Sequence, residues 1–275
     1  IYLKVMVEKM SRSRVVVLCG PDLRHLSTCA TLLESNINVV GVCIANQKSF
    51  GLPIKYILKS AVKKGFSLVF GQILGRIYYN FLNKRKDIEI SSLLYNQKKI
   101  DGVINDWGGS THYTNNYSNK DTIHWLNKCK ADIFIVHSGY WIDKEVRHLP
   151  RKEIIIGGHP GLIQEYRGSN SAFWAIYNGF PSKIGYSVFL LTSEIDAGGL
   201  IEQNKIQIEA GDSHVTLGWK GMLEIAKAQA RIVNEFDRTG CISSQKYTGL
   251  SDSTIYDVPT LKQYLQYKKK QNKIR

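Results

Sequence analysis

Residues 14–44 read RVVVLCGPDLRHLSTCATLLESNINVVGVCI and contain two β-branched runs on either side of an amphipathic segment. The run that ends at Gly20 and the run over residues 37–44 predict two buried strands. Between them, after Pro21 and Asp22, apolar residues recur at helical spacing. Strand, helix and strand within about thirty residues form a βαβ unit, and such a crossover joins parallel strands. The sequence therefore predicts an α/β fold with a mostly parallel central sheet.

The rest of the chain continues this alternation after an interruption at about residues 46–100. Strands are predicted at residues 101–105 (DGVIN), 133–137, 153–156, 183–191 and 200–208. Helices are predicted at residues 119–130, 143–148 and 172–177, followed by a long helix that Asp212 or Ser213 caps and that runs to about residue 236. Residues 237–275 show no strong period and are expected to form a short C-terminal extension.

The interruption itself is rich in apolar residues interleaved with lysine and arginine, above all over residues 56–82. This pattern predicts one or two amphipathic helices with a basic face, inserted into the α/β fold. The favoured interpretation is that the apolar face packs on the sheet, since most amphipathic helices in globular chains face the core. A basic amphipathic helix can also lie on an anionic membrane. A lid, a dimer face and a membrane-surface helix therefore all stay open as roles for the insertion.

Composition restricts the possible partners and the compartment. The 275 residues carry 37 Lys and Arg against 23 Asp and Glu, a formal net charge of +14, which favours anionic partners. The five cysteines are scattered without CxxC spacing, which indicates a reducing, cytoplasmic compartment and no metal site. No run reaches the 18 apolar residues of a transmembrane helix, so no transmembrane segment is expected.

Two residues stand out as candidates for chemistry. His159 follows the strand predicted at residues 153–156 and lies among glycines, in the segment GGHPG. In open α/β sheets ligands bind beyond the carboxyl ends of the strands, and a histidine can accept and release protons near neutral pH. Asp196 lies in the turn SEIDAGG between two predicted strands. Taken alone, an aspartate followed by small residues is also an ordinary turn.

Several sequence elements between residues 130 and 210 carry a family resemblance because of their order. They are Ala-Asp-Ile-Phe-Ile-Val at 131–136 with Gly-Tyr at 139–140, His-Pro-Gly-Leu at 159–162, Tyr-Arg-Gly at 166–168, Phe-Trp-Ala-Ile at 173–176, Gly-Tyr-Ser-Val at 185–188 and Ile-Asp-Ala-Gly at 195–198. Together they resemble the core signature of the folate-dependent formyltransferase superfamily, which includes methionyl-tRNA formyltransferase and the nucleotide-sugar N-formyltransferases.

The resemblance implies a Rossmann-like formyltransferase domain over residues 11–210, which includes the helical insertion, and a C-terminal helix and extension over residues 211–275. It also implies an enzyme that moves a formyl group from N10-formyltetrahydrofolate to a primary amine. The acceptor would be an anionic small molecule rather than DNA, most simply an amino sugar on a nucleotide for surface polysaccharide biosynthesis. A homodimer is a further expectation.

Residue roles follow from the same resemblance. The family's catalytic histidine corresponds to His159 and its aspartate to Asp196, whose carboxylate would orient the imidazole and raise its basicity. The histidine would then carry protons away from the attacking amine. The donor would contact one loop, Gly139, Tyr140, Trp141 and Ile142, with Ile195 on the opposite side. The acceptor would contact Tyr166, Arg167 and Gly168.

One departure from the family pattern bears on activity. The family carries an asparagine two residues before the histidine, where it donates a hydrogen bond to the formyl oxygen, and this chain has Gly157 instead. Loss of one such donor costs about 100- to 1000-fold in rate. A folate or nucleotide-sugar binding module without full activity therefore remains an alternative.

Three other reaction classes compete with formylation of a sugar amine. Formylation of another amine, such as that of initiator tRNA, is less favoured. Transfer-RNA formyltransferases normally carry a separate C-terminal barrel domain, and the roughly 40 residues after the last long predicted helix are too few for that barrel. Hydrolysis of the formyl donor stays open. A Rossmann oxidoreductase is excluded because no GxGxxG motif follows the first predicted strand.

Overall fold

The computed structural model describes residues 12–46, 54–140, 142–192, 199–245 and 255–271, apart from the side chains at 54–57, 59, 270 and 271. In this part of the chain the strands are β1 Val15–Cys19, β2 Val39–Ala45, β3 Ser110–Thr114, β4 Ile133–His137, β5 Ile154–His159, β6 Arg167–Gly168, β7 Gly185–Leu190, β8 Leu200–Lys205 and β9 Ile255–Tyr256. The helices are α1 Leu23–Glu34, α2 Ile54–Lys64, α3 Phe66–Leu94, α4 Gln97–Trp107, α5 Lys120–Cys129, α6 Lys144–Arg147, α7 Ser171–Tyr177, α8 His214–Thr239 and α9 Leu261–Gln271.

Seven of these strands form one sheet in the order β3-β2-β1-β4-β5-β7-β8. The first five run parallel, whereas β7 is antiparallel to both β5 and β8. This confirms the predicted mostly parallel α/β sheet. The strand order reverses direction at β1, so the carboxyl ends of β1 and β4 flank the crevice in which such folds bind ligands.

The core of the sheet explains why these segments form strands. Each residue of β1 and β4 is buried, and the inner strands read as nearly continuous apolar runs, as expected for strands with helices on both faces. On one face α8 packs against β5, and Gly158 allows the close approach because a Cβ there would lie 2.2 Å from the Ile225 side chain. The long α8 therefore shares its core with the sheet. The predicted division of the chain at residue 210 stays a prediction.

The strand predicted at residues 101–105 is wrong. These residues lie inside α4, where Ile100, Val103 and Ile104 face α1 at helical spacing. The DGVIN segment contains only two adjacent large apolar residues, and the period of 3.6 residues becomes visible over a longer window. The strand of this region is β3, an edge strand with the polar sequence STHYT, which pairs with β2.

The sequence predicted one or two helices in the insertion, and the structure has two, α2 and α3. The prediction that its apolar face packs on the sheet is wrong. Helix α3 instead contacts α8 and α9, and Gly75 lets its backbone approach the chain at Pro259 to Leu261. None of the helices in the described ranges is long and apolar enough to cross a membrane.

The C-terminal extension is more regular than the sequence indicated. Helix α9 buries Tyr264 and Tyr267 against Phe173 of α7, and β9 pairs with β6 in a small second sheet. The polar sequence of α9 obscured its pattern, since lysines and glutamines separate the few apolar residues. Its aromatic contacts come from distant parts of the chain, so local periodicity could not reveal them.

Candidate active site

A cavity of about 910 Å³ opens at the carboxyl ends of β4 and β5, beside α1. Its floor contains the ends of two strands, at His137 and His159, and its walls come from α1, α8 and the strand ends that follow β7. Because the strand order reverses between β1 and β4, the cavity lies at the topological switch point of the sheet. The position matches the expectation that His159 lies at the ligand-binding edge.

His159 is the last residue of β5 and is buried. Its Nε2 lies 2.8 Å from the carbonyl oxygen of Tyr166. A carbonyl can only accept a hydrogen bond, so Nε2 carries the proton in the neutral ring. The lone pair of the neutral imidazole is then on Nδ1, which is the atom able to take up a further proton.

The loop after His159 is held by hydroxyl groups from two other elements. The Ser187 hydroxyl of β7 accepts from the Ile163 amide at 3.1 Å and donates to the Gly161 carbonyl at 2.8 Å. The Ser171 hydroxyl donates to the carbonyl of Pro160. Gly161 is required for this packing, because a Cβ there would lie within 2.7 Å of both the Ser171 side chain and His159 Nε2. These contacts fix the orientation of the imidazole.

Three of the five predicted donor contacts line the same cavity, namely Gly139, Tyr140 and Ile142. The loop that carries them is anchored by the Tyr140 amide, which donates to Ser138 Oγ at 3.0 Å, and by Arg147, which donates to the Ile142 carbonyl at 3.0 Å. The other two, Trp141 and Ile195, and the predicted catalytic Asp196 lie outside the described residues.

Gly157 also lines the cavity, at the position where the family pattern has asparagine. A Cβ built on Gly157 would point at the wall of the cavity, 3.1 Å from Leu191 Cδ1 and 3.2 Å from Phe189 Cε2. A small adjustment of these two apolar side chains would therefore make room for a larger residue. The absence of a side chain at position 157 leaves this part of the wall apolar.

The predicted acceptor residues fall into two groups. Gly168 lines the cavity and has a positive φ of 85°, and a side chain there would collide with the Tyr256 carbonyl at 2.4 Å. Tyr166 and Arg167 are buried beside it. The carbonyl of Tyr166 contacts His159, whereas the Tyr166 ring packs against that of Tyr256. Binding of the acceptor by these residues stays a prediction.

Two further histidines, His25 and His137, also line the cavity. The ring of His137 is fully buried and lies 5.8 Å from the ring of His25. His137 Nε2 donates to the sulfur of Met222 at 3.3 Å, and Nδ1 is hydrogen-bonded to the Thr28 hydroxyl. Burial lowers the pKa of His137 to about 3 and that of His25 to about 4, and the nearby Arg24 lowers both further. Both rings are therefore uncharged at neutral pH.

Several lining residues were not singled out from the sequence. The cavity mouth includes Lys63 and Lys64 from α2, and Tyr256 and Asp257 from the C-terminal extension. Lys64 and Asp257 form an ion pair at 2.5 Å that joins the insertion to the extension. The aromatic and acidic residues just before Pro259 were a usable signal, since such a cluster is unusual in a solvated tail.

A second cavity, of about 290 Å³, lies between α3, α8 and α9. It shares wall segments with the first: Ser169 and Asp257 line the larger cavity, and their neighbours Asn170 and Val258 line the smaller one. Arg24 spans the boundary, because its guanidinium lies 5.6 Å from the ring of Trp219 in the smaller cavity.

The wall of the smaller cavity contains a hydrogen-bonded carboxylate and two positively charged side chains. The buried Asp87 carboxylate accepts from the Tyr79 hydroxyl at 2.6 Å and from the Ser213 hydroxyl at 2.9 Å, and burial raises the pKa of this carboxyl. Arg76 and Lys84 supply positive charge in its wall. Among the described residues, no group of three or more His, Cys, Asp or Glu side chains could hold a metal ion.

Comparison with known proteins gives a family match. A family model described as formyl transferase matches residues 79–228, more than half of the chain. GDP-perosamine N-formyltransferase from Brucella melitensis is 35% identical over 74 residues, which are 27% of this chain and 27% of that protein. Methionyl-tRNA formyltransferase from Clostridium acetobutylicum is 30% identical over 135 residues, 46% of this chain and 41% of that protein. The chain thus spans between about a quarter and two fifths of the length of these relatives.

Solved structures share the fold over most of their length. Glycinamide ribonucleotide transformylase 1 from Symbiobacterium toebii has a TM-score of 0.55 at 13% identity, covering 86% of this chain and 92% of that one. A 4-N formyltransferase from Francisella tularensis has a TM-score of 0.53 at 14% identity, covering 93% of this chain and 86% of that one. At these identities the similarity establishes a common fold.

Proposed function

Because the chain belongs to the formyl transferase family, we propose that it transfers a formyl group from N10-formyltetrahydrofolate to a primary amine. The observation that carries the proposal is the position of His159, whose imidazole is held at the floor of the 910 Å³ cavity with Nε2 hydrogen-bonded to a carbonyl. The family takes its formyl group from N10-formyltetrahydrofolate.

The cavity fits such a donor. Its apolar wall, which includes Ile142, Phe189 and Leu191, suits a flat pterin ring, and the backbone at Gly139 is open to it. The lysine side chain at the mouth, Lys63, would hold the carboxylates of the glutamate tail. When bound, the donor supplies an activated formyl carbon to the amine.

His159 would act as the proton carrier. With its proton on Nε2, the neutral ring offers Nδ1 to the proton that leaves the attacking amine. The resulting imidazolium would be stabilised by Asp196, in the role assigned from the family resemblance. As the bond between the formyl carbon and N10 breaks, the proton would pass to N10 of the leaving tetrahydrofolate. The Tyr166 carbonyl and the loop fixed by Ser187 would keep the ring in one orientation while the proton moves.

For the acceptor we propose an amino sugar carried on a nucleotide. Three features support this class: the GDP-perosamine enzyme is among the relatives, cations line both cavities, and the cavities share their walls. The amine would lie at His159, the diphosphate at Arg24, and the base beside Trp219 in the smaller cavity. This chemistry suits a cytoplasmic enzyme of surface polysaccharide biosynthesis. The homodimer stays a prediction.

The proposal is tested first by donor binding. Calorimetric titration with a stable analogue of N10-formyltetrahydrofolate is expected to show micromolar binding, and Leu191→Glu, which places a carboxylate in the apolar wall, is expected to weaken it more than tenfold. Leu265→Glu, on the exposed surface of α9, is the matched control and should bind as wild type does. Wild-type protein that does not bind the analogue would refute the donor assignment.

Acceptors are then screened by mass spectrometry with nucleotide-linked amino sugars that differ in base. Formylation of one of them, with no reaction on initiator methionyl-tRNA, supports the sugar assignment. Analogue binding without transfer to any amine would favour the alternative of a binding module. Release of tetrahydrofolate without an acceptor would favour hydrolysis.

A gain of function is expected when the missing amide is restored. Gly157→Asn, combined with Leu191→Ala to relieve the 3.1 Å contact, should raise kcat by about 100-fold over the Leu191→Ala single variant. This is the lower end of the rate effect of one hydrogen-bond donor to the oxyanion. Gly157→Asp in the same background has nearly the same shape but accepts rather than donates, so it should lower the rate. Equal rates for the two variants would show that the position does not contact the formyl oxygen.

A further inference from the structure

Helix α3 exposes a continuous line of large apolar side chains. This α3 stripe consists of Phe66, Phe70, Ile77, Phe81 and Ile88, whose exposed fractions are 65%, 62%, 60%, 87% and 57%. The spacings of four and seven residues place all five within an arc of about 60° on a helix of 3.6 residues per turn. At a rise of 1.5 Å per residue the stripe is about 33 Å long. Exposed apolar surface of this extent marks an interaction site.

The opposite face of α3 holds the stripe in place. Val69, Gly75, Tyr79 and Asp87 are buried against the body of the protein. The Tyr79 hydroxyl and the Ser213 hydroxyl both donate to the Asp87 carboxylate, which ties α3 to the start of α8. The stripe is therefore fixed on a helix that already has its intramolecular partners, and it faces outward.

The charged side chains around the stripe favour an anionic partner. Of the six Lys and Arg in residues 60–94, four lie at the start of the stripe or beside it, namely Lys63, Lys64, Lys84 and Arg85, whereas Arg76 and Lys86 lie on other faces of α3. The same range contains two acidic residues. Of these two, Asp87 is buried and Glu89 pairs with Arg85 at 3.5 Å. Lys84 lies within the arc of the stripe itself. The apolar line is thus bordered by positive charge with almost no exposed negative charge.

This charge distribution disfavours a second copy as the occupant. Two stripes packed together would bring two positively charged surfaces into contact, and like charges across an interface are repulsive. An anionic phospholipid surface satisfies both features, since aromatic and aliphatic side chains enter the acyl boundary while Lys and Arg meet the phosphates.

We propose that the α3 stripe docks the protein on the surface of an anionic membrane. Helix α3 would lie in the plane of the interface, with its phenylalanines among the lipid chains and Lys84 and Arg85 at the headgroups. Lys63 and Lys64 end α2 just before the stripe begins and also line the mouth of the large cavity. Docking therefore places that mouth beside the headgroups.

The test is cosedimentation of the full chain with vesicles. Wild-type protein should bind vesicles of phosphatidylcholine containing about one-third phosphatidylserine at least ten times more strongly than vesicles of phosphatidylcholine alone. Salt at about 1 M, which shortens the Debye length to about 3 Å, should weaken the binding. Equal binding to both kinds of vesicle, or no binding, would overturn the proposal.

Variants assign the binding to the stripe. Phe70→Ser with Phe81→Ser is expected to lower binding at least tenfold, and Lys84→Glu is expected to lower it as well. Phe180→Ser is the matched control, because Phe180 is half exposed on the turn after α7, away from the stripe. Thermal unfolding confirms that each variant is folded. If the double variant instead converts a wild-type dimer into a monomer, with no change in vesicle binding, the occupant is a second copy and the membrane assignment is wrong.

Discussion

Replacement of His159 by alanine is expected to lower kcat/KM for formyl transfer by about 1000-fold, within the range that a positioned acid–base group contributes. The reason is geometric: the ring is buried at the cavity floor, and the Tyr166 carbonyl holds the proton on Nε2 and leaves Nδ1 to accept one. Binding of the donor analogue should persist, because the apolar wall is unchanged. The rate is measured with the acceptor that the screen identifies.

Two comparisons separate a catalytic role from a structural one. Added imidazole should restore part of the activity of His159→Ala, since it can supply the missing base, whereas it cannot repair a misfolded site. His148→Ala is the matched control: His148 is exposed and lies 3.5 Å from Glu153, outside the cavity. Activity of His159→Ala above about a tenth of the wild-type value would exclude His159 as the proton carrier.

Acidification from pH 6.5 to pH 4.5 is expected to lower the free energy of unfolding by about 7 kcal/mol. Burial lowers the pKa of both His137 and His214 to about 3 in the folded protein, against about 6.5 in the unfolded chain. Between these values the two side chains bind about two more protons in the unfolded chain than in the folded one. Stability is therefore fully present above pH 6.5 and falls as the pH decreases. His25, whose pKa is lowered to about 4, contributes about one more proton in the same direction.

His214 provides the decisive variant. Both of its ring nitrogens are buried and have no hydrogen-bond partner among the described residues. They lie in a box formed by the rings of Tyr79, Phe173, Tyr264 and Tyr267. His214→Leu should therefore lower the pH slope of the unfolding free energy by about a third, because His137 and His25 still contribute. The slope is measured from urea titrations at several pH values, and no stability should be lost at pH 7.5. His148→Leu, on the surface, should leave the slope unchanged. A slope that is the same in His214→Leu and wild type would contradict the assignment.

The candidate site was predictable where its residues carry local signals. His159 ends a strand among glycines, and Gly139 and Tyr140 follow the preceding strand of the sheet, so the rule that ligands bind at carboxyl ends brings them together. The structure places these residues around one cavity. The cluster that contains Tyr256 and Asp257 was visible in the sequence, but its place at the cavity was not. These residues lie about 100 residues after His159 and reach the cavity through the pairing of β9 with β6.

The sequence by itself determined the α/β class, the buried inner strands and the order of family motifs around His159. It could do so because strands and helices differ in the local spacing of their apolar residues, and because the order of the motifs is read directly along the chain. Only the tertiary structure decided that residues 101–105 continue a helix and that α3 faces solvent with its phenylalanines. A pattern of apolar residues shows which side chains can be buried, but the partner that buries them is chosen by packing between distant segments. Helix α3 has apolar residues on more than one face. Helices α8 and α9 pack against another face, so the stripe stays exposed.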